Sequence, residues 1–477
     1  MSKRILKFKC YEIRWMVLAL LLFTVKTGIA DERTDRTSRP NVLFINVDDL
    51  GWRDVGFMGG DFFETPNIDA LSMEGMTFTR SYAAAANCAP SRACLMTGQN
   101  TPRHGIYTVS PSARGDARTR KLVPIANTDS LSPKAITLAE LFKMAGYGTA
   151  TFGKWHLGKN PTDQGFDDNK GGDLRGNPGR KGYFSPYKVA NLEDGPEGEN
   201  LTDRLTQEAI RYIESSRDIP FFVYLSYYAV HTPLMAEEDR IKKYKAKKNP
   251  LGIDAVYAAM VETVDSNVGK LLDVLKANGL ESNTLVVFTS DNGGIRSIAT
   301  QFPLRAGKGS YYEGGIRVPG IVKWPGVVKP GSTHDRPVTN LDFFPTFKNL
   351  LGMDLPDQPL DGKSLLPILQ GKSLKKRPLY WHFPIYLQKY DSEKDDGRDP
   401  LFRTRPGSVI IHGNWKLHYY YEDNGLELYN LKSDVGERNN LASKRPKKSG
   451  KLLGMLNQWL AETSAPIPRT ANPEYID

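Results

Sequence analysis

Asn41-Val42-Leu43-Phe44-Ile45-Asn46-Val47 is a seven-residue run, apolar but for two asparagines, that ends on the carboxylates of Asp48 and Asp49. A short, almost continuously apolar run reads as a strand buried on both faces, inside a sheet covered by helices on each side. The pattern recurs at 149–152, 221–227 and 285–289. Amphipathic stretches at 136–145, 201–215, 254–278 and 341–351 separate or follow these runs, and Gly146, Gly279 and Gly352 close three of them. Strand alternating with helix predicts the α/β class: a large doubly wound mixed sheet flanked by helices. After Gly371 the pattern changes to short segments at 408–412, 415–421 and 426–429, separated by the turns Gly413-Asn414 and Asn424-Gly425 and followed by a helix over 452–462. That part predicts a smaller C-terminal α+β domain, an antiparallel sheet plus a helix. The expected division is 38–371 for the catalytic domain, 372–466 for the C-terminal one and 467–477 for a tail.

The 477 residues are 40 % hydrophobic and 25 % charged, an ordinary globular balance. The net charge of +10 suggests nucleic acid at first sight. However, Lys3, Arg4, Lys7, Lys9, Arg14 and Lys26 against Glu12 place half of it in the first thirty residues, and no nucleic-acid-binding motif follows. The cluster Lys242, Lys243, Lys245, Lys247 and Lys248 reads as a solvated helix face. Trp15–Phe23 is an apolar run after a basic stretch, too short to span a bilayer, and Gly28-Ile29-Ala30 presents small residues before Asp31. Residues 1–30 therefore read as a signal peptide, with export to the periplasm or beyond and no stable membrane span after cleavage. Cys88 and Cys94 lie six apart on one expected helix, pointing to different faces, so a disulfide between them is not expected.

Ligands of open α/β sheets bind beyond the carboxyl ends of the strands. Polar groups collect there: Asp48 and Asp49 after the first run, Lys154 and His156 after the second, His231 after the third, Asp291 and Asn292 after the fourth. Any one of these aspartates by itself reads rather as a helix cap, but four strand ends together favour a site. Three carboxylates and an amide suit a hard divalent cation such as calcium or magnesium better than zinc. Lys154, Arg92 and Lys308 suit an oxyanion, and glycines on both sides of Lys308 allow a bound group to approach the backbone closely.

Cys88 falls at or just before the start of a helix in which Pro90 occupies the first turn and which runs through Arg92 to Thr97-Gly98. Orphan amides at a helix start favour a thiolate, so the position reads as a low-pKa thiol beside an arginine, with a small buried cysteine as the alternative.

Cys88-Ala89-Pro90-Ser91-Arg92-Ala93-Cys94-Leu95-Met96-Thr97-Gly98 matches the signature Cys-x-Pro-Ser-Arg-x-x-x-Thr-Gly. With Gly153-Lys154-Trp155-His156, His231-Thr232-Pro233, Ser290-Asp291-Asn292-Gly293-Gly294 and Gly307-Lys308-Gly309 in order, the chain resembles the type I sulfatases of the alkaline-phosphatase-like superfamily from about residue 40 to 465. The resemblance implies hydrolysis of a sulfate ester. It implies that a formylglycine-generating or sulfatase-maturating enzyme oxidises Cys88 to formylglycine, whose hydrated aldehyde is the nucleophile. One calcium ion is implied on Asp48, Asp49, Asp291, Asn292 and the modified Cys88. Arg92 would hold the hydrate, and Lys154, His231 and Lys308 would bind the sulfate, His231 or Lys308 donating the leaving-group proton. His156 would then deprotonate the hydrate so that sulfate departs.

A sulfated carbohydrate or an aryl sulfate is the expected substrate. A phosphodiesterase or phosphonate monoester hydrolase, and a sulfated-glycan-binding protein without catalysis, are the alternatives. The loop-rich stretches 158–200 and 384–407 are expected to line a substrate cleft. Arg118, Arg175, His382, Arg403 and Arg405 are candidate rim residues, each read by itself as surface charge.

Overall fold

A computed structural model describes residues 39–109, 111–355 and 358–476; the expected signal peptide lies outside the described residues. Eight strands form the large sheet: β1 (Asn41–Val47), β2 (Met76–Phe78), β3 (Gly148–Gly153), β4 (Asp168–Lys170), β5 (Phe221–Ser226), β6 (Thr284–Ser290), β7 (Gly320–Lys323) and β8 (Ser332–His334). Their order is β8-β2-β7-β6-β1-β5-β3-β4. From β6 to β4 neighbours run parallel, with Phe44 opposite Tyr224 on one side and Val287 on the other. β7 is antiparallel to both β6 and β2, so the sheet is mixed.

Side chains alternate across this sheet as the two-residue repeat of a strand requires. Leu43, Ile45, Val223, Leu225, Val286 and Phe288 pack on one face beneath the helices Leu201–Ser215 and Ala255–Ala277. Val42, Phe44, Phe222, Tyr224, Leu285 and Val287 pack on the other with residues of the helices Cys88–Thr97, Leu138–Met144 and Phe343–Leu350. Burial on both faces explains why these strands carry no polar alternation.

The C-terminal sheet has the order β9 (Pro378–Phe383), β10 (Gly407–His412), β11 (Trp415–Tyr420), β12 (Leu426–Asn430), all antiparallel. Ile410, Leu417 and Leu428 pack against Leu452, Leu456 and Trp459 of the helix Pro446–Glu462. The opposite face, through Leu379, Trp381, Val409 and Ile411, packs on Tyr82, Tyr311 and Ile316 of the larger part. Among the described residues no helix is long and apolar enough to cross a membrane.

Candidate active site

Each strand end is tied to its neighbour by main-chain hydrogen bonds, which fixes where the polar side chains emerge. The Asp48 amide donates to the Ala229 carbonyl at 2.9 Å, and Val230 donates to the Asp48 carbonyl at 2.8 Å. Lys154 donates to the Ser226 carbonyl at 2.7 Å and Asp291 to that of Val47 at 3.2 Å. Asp49 turns out of β1 in the left-handed region, φ 62°, a conformation that Asp tolerates better than most residues. The helix Cys88–Thr97 begins after Asn87 in extended conformation, ends on left-handed Gly98 and is buried throughout, which aims Cys88 and Arg92 at the strand ends.

Three carboxylates there face three cations. Lys154 Nζ donates to Asp48 Oδ2 at 2.6 Å, and Lys308 Nζ donates to Asp49 Oδ2 at 2.7 Å. Arg92 Nε donates to Asp291 Oδ2 at 2.9 Å, while its Nη1 donates to the Lys154 carbonyl at 2.8 Å and to Ser226 Oγ. Asn292 Nδ2 donates to Asp49 Oδ1 at 2.7 Å. The Cys88 sulfur lies 3.5 Å from Asp48 Oδ1 and 3.9 Å from Asp49 Oδ1, and His231 Nε2 lies 3.8 Å from Asp49 Oδ2. The structure thus gathers Asp48, Asp49, Cys88, Arg92, Lys154, His231, Asp291, Asn292 and Lys308 in one connected cluster.

Burial dominates the titration of this cluster. It raises the Asp48 carboxyl to about 8 against the pull of Lys154, with Asp291 and Asp49 adding to the rise. Asp49 is driven the other way: burial opposes its charge, but Lys308, His231 and Lys154 hold it below the usual carboxylate range. Burial and then Lys308 lower His231 to about 3. His156, half-buried, is held well below its ordinary value by desolvation and then by Lys154 and Arg92, and its buried Nδ1 has no hydrogen-bond partner. The Cys88 thiol is pushed up to about 12 by burial and by Asp48. The low-pKa thiol expected from the helix start is therefore wrong: the neighbouring carboxylates and the loss of water outweigh the helix amides.

The donor set fits a divalent cation. Carboxylate oxygens of Asp48, Asp49 and Asp291 all lie within 4.8 Å of one another, and the buried Oδ1 of Asn292 has no hydrogen-bond partner. Oxygen donors of this kind suit a hard cation. A doubly charged ion on these carboxylates would leave Lys154, Lys308 and Arg92 with positive charge in excess, the complement of a bound oxyanion.

The rim residues divide. Arg118 pairs with Asp116 and Arg175 with Asp173 on the surface, as expected. Arg405 is half-buried between Asp399 and Glu422. His382 is not surface charge: it lies inside β9, 1 % exposed, bonded to Ser408 and the Pro466 carbonyl. Arg403 is also buried, and its Nη1 donates to the Lys308 carbonyl at 3.0 Å. The lysine cluster is only partly a solvated face, because Lys243 and Lys247 pair with Glu64, and Lys243 also with Glu262. Two supports carried no sequence signal: Ser226, which accepts from Arg92, and Tyr183, whose hydroxyl donates to the carbonyls of Tyr228 and His231.

Known proteins resemble the chain over most of its length. The Sulfatase family matches residues 40–353, and the family described as N-sulphoglucosamine sulphohydrolase, C-terminal, matches residues 307–465. A protein called Sulfatase from Formosa agariphila is 34 % identical, with 94 % of each chain covered. N-acetylgalactosamine-6-sulfatase of Mus musculus is 34 % identical, covering 72 % of this chain and 68 % of that protein. The crystal structure of Ps i-CgsB superposes with a TM-score of 0.73 at 31 % identity, covering 88 % of this chain and 92 % of the other. That protein has also been crystallised in complex with k-i-k-neocarrahexaose, again at a TM-score of 0.73.

Proposed function

The chain belongs to the sulfatase family and is a hydrolytic enzyme, and we propose that it removes sulfate from a hydroxyl of a sulfated carbohydrate. In this reading one calcium ion sits on Asp48, Asp49, Asp291 and Asn292, and Cys88 is converted to formylglycine by a separate maturation enzyme. The observation that carries it is the meeting of three carboxylates, three cations and Cys88 at the ends of neighbouring strands. The carbohydrate class is supported by the amino sugar in the name of the mouse relative and by the oligosaccharide complex of Ps i-CgsB. Residues 1–30 read as a signal peptide, so the site of action is the periplasm or the exterior.

When bound, the cation supplies positive charge at which a sulfate oxygen is held. When formed, the hydrated aldehyde supplies a hydroxyl nucleophile in place of the buried thiol. Arg92 braces the nucleophile's surroundings, since one guanidinium holds Asp291, Ser226 and the Lys154 carbonyl together. Lys154 and Lys308 place two ammonium groups beside the carboxylates and stabilise charge developing on the sulfate oxygens, without reorganisation. His231 Nδ1 lies 2.7 Å from the Thr232 carbonyl, which orients the ring, and either His231 or Lys308 supplies the proton to the leaving oxygen. His156, neutral and with an unpartnered Nδ1, is the base that takes a proton when sulfate departs.

Peptide mass spectrometry at Cys88 and free-sulfate release from sulfated mono- and oligosaccharides test this reading together. Formylglycine at Cys88, with faster release from a sugar sulfate than from an aryl sulfate, is expected. An unmodified thiol in a fully active enzyme, or faster cleavage of a phosphodiester than of any sulfate ester, overturns it.

A further inference from the structure

At the Pro378 end of β9, the Gly413-Asn414 turn, the start of the helix Pro446–Glu462 and the segment before β9 enclose a groove of about 530 Å³. Arg80, Arg336, Lys375, Lys376, Lys448 and Lys451 line it, from four separate parts of the chain. A seventh cation, Arg377, is paired with Asp342, and Asp335 is the one carboxylate in the lining. The contacts of Arg80 are neutral: Nη1 donates to Asn414 Oδ1 at 3.1 Å and Nη2 to the Gly413 carbonyl at 2.9 Å. Arg336 likewise donates to the Leu374 carbonyl. His412 on the same wall is held below its ordinary value by burial and then by Lys451, Lys448 and Lys376, which shows that these ammonium groups share one space.

Six positive charges converging beside the single carboxylate of Asp335 repel one another, and a polyanion relieves that repulsion at many points at once. A single small anion meets only one or two of them. The chain outside residues 1–30 has little net charge to spare, so this concentration is local rather than a property of the whole surface. None of the residues of the active-site cluster lines the groove. Pro378 pairs with His412 at this end of the C-terminal sheet, and Phe383 pairs with Gly407 at the other, nearer the segment whose Arg403 holds Lys308. The five residue steps from Pro378 to Phe383 put about 17 Å between the two ends of the strand. Trp415 lines the same wall, with Lys448 Nζ 5.4 Å from its ring centre, and adds an aromatic surface of the kind that meets sugar rings.

We propose that this groove is a second, non-catalytic binding site for a sulfated polysaccharide, anchoring the polymer that the active site desulfates. The identity of the polymer rests on the sulfatase reading above; the binding does not. The test uses the full chain in two forms. In a Cys88→Ala background, affinity for dextran sulfate and for heparin is measured over a series of salt concentrations, with and without Lys376→Glu, Lys448→Glu and Lys451→Glu together. The triple variant is expected to bind at least tenfold more weakly and with a shallower salt dependence, because fewer counterions are displaced. In the Cys88 enzyme the same triple variant is expected to keep kcat/KM on an aryl sulfate and to lose activity on the polymer. Unchanged polymer affinity in the triple variant overturns the proposal. Tighter binding of the parent to double-stranded DNA or to phosphatidylserine vesicles than to the sulfated polymers also overturns it, in favour of that partner. A parent that carries formylglycine at Cys88 and binds polymer through these lysines but releases no sulfate leaves the groove established and refutes the catalytic reading instead.

Discussion

Arg403 holds Lys308 by its backbone, through space that exists because residue 309 has no side chain. The guanidinium donates to the Lys308 carbonyl at 3.0 Å, while a Cβ on Gly309 would stand 2.7 Å from the same nitrogen. Arg403 is itself fixed by the Gln388 carbonyl and by the ring of Tyr390, whose centre lies 3.5 Å from the guanidinium carbon. The segment after β9 thereby sets the position of a charged group that faces Asp49. Arg403→Ala is expected to lower kcat by about 10- to 100-fold, the scale on which small misplacements of catalytic groups act, with a smaller change in KM. Arg403→Lys is expected to recover part of the loss. Steady-state kinetics on an aryl sulfate check both.

Gly309 adopts φ +83°, so alanine there meets both backbone strain and the Arg403 guanidinium. Gly309→Ala is expected to destabilise the fold by about 1–3 kcal/mol and to lower kcat. Combining it with Arg403→Ala removes the clash and leaves the strain, so the double variant should lose less stability than the sum of the singles, as read by urea denaturation.

Asn292 Oδ1 is buried without a hydrogen-bond partner, next to the three clustered carboxylates. Asn292→Ala is expected to weaken calcium affinity by at least about tenfold, the scale of one lost polar contact, and excess calcium should restore activity. Calorimetric titration of the variant checks the affinity, and activity against added calcium checks the rescue.

Two histidines outside the site make stability depend on pH. Burial lowers His104 to about 3 and His382 to about 4. Above about pH 6.5 both are neutral whether the chain is folded or not. As pH falls below that, the unfolded chain takes up protons that the fold refuses, so stability is lost progressively down to the folded values, by about 1.4 kcal/mol per pH unit for each histidine. Denaturation midpoints between pH 7 and 4 should show this slope. His104→Gln with His382→Gln should make it shallower by the share of these two groups.

The sequence reveals those parts of the molecule whose local pattern and tertiary role agree. β1 spans Asn41–Val47 as read, because seven residues packed between two helical layers leave no room for polar alternation. The long helix Ala255–Ala277 fills the expected stretch 254–278, and at its start the Asp254 carboxylate accepts from two backbone amides. The short strands Met76–Phe78, Gly320–Lys323 and Ser332–His334 carry too few residues for any periodicity, and only pairing defines them. Pro378–Phe383 likewise carries no clear strand signal, because its proline stands at the first position and its buried His382 reads as surface charge. Among the site residues, strand ends pointed to the aspartates and lysines. Arg403 was read as rim because the reach of its side chain to Lys308 is set by folding across 95 residues. The thiol reading fails for a related reason: a helix start is a local feature, whereas the carboxylates that raise Cys88, Asp48 and Asp291, arrive from the ends of two strands.

Cys88 is 1 % exposed, enclosed by a helix buried along its whole length and by the ends of strands drawn from distant parts of the chain. No second protein can lay an active centre against that sulfur once the sheet has closed. If an oxidising enzyme acts on Cys88, it has to meet the chain while it is still extended, during synthesis or passage across a membrane, so the order of events in the cell decides whether a molecule is ever active. Two populations with the same fold and the same stability would then coexist, one competent and one inert, and no later exposure to the oxidising enzyme could convert the second into the first without unfolding it.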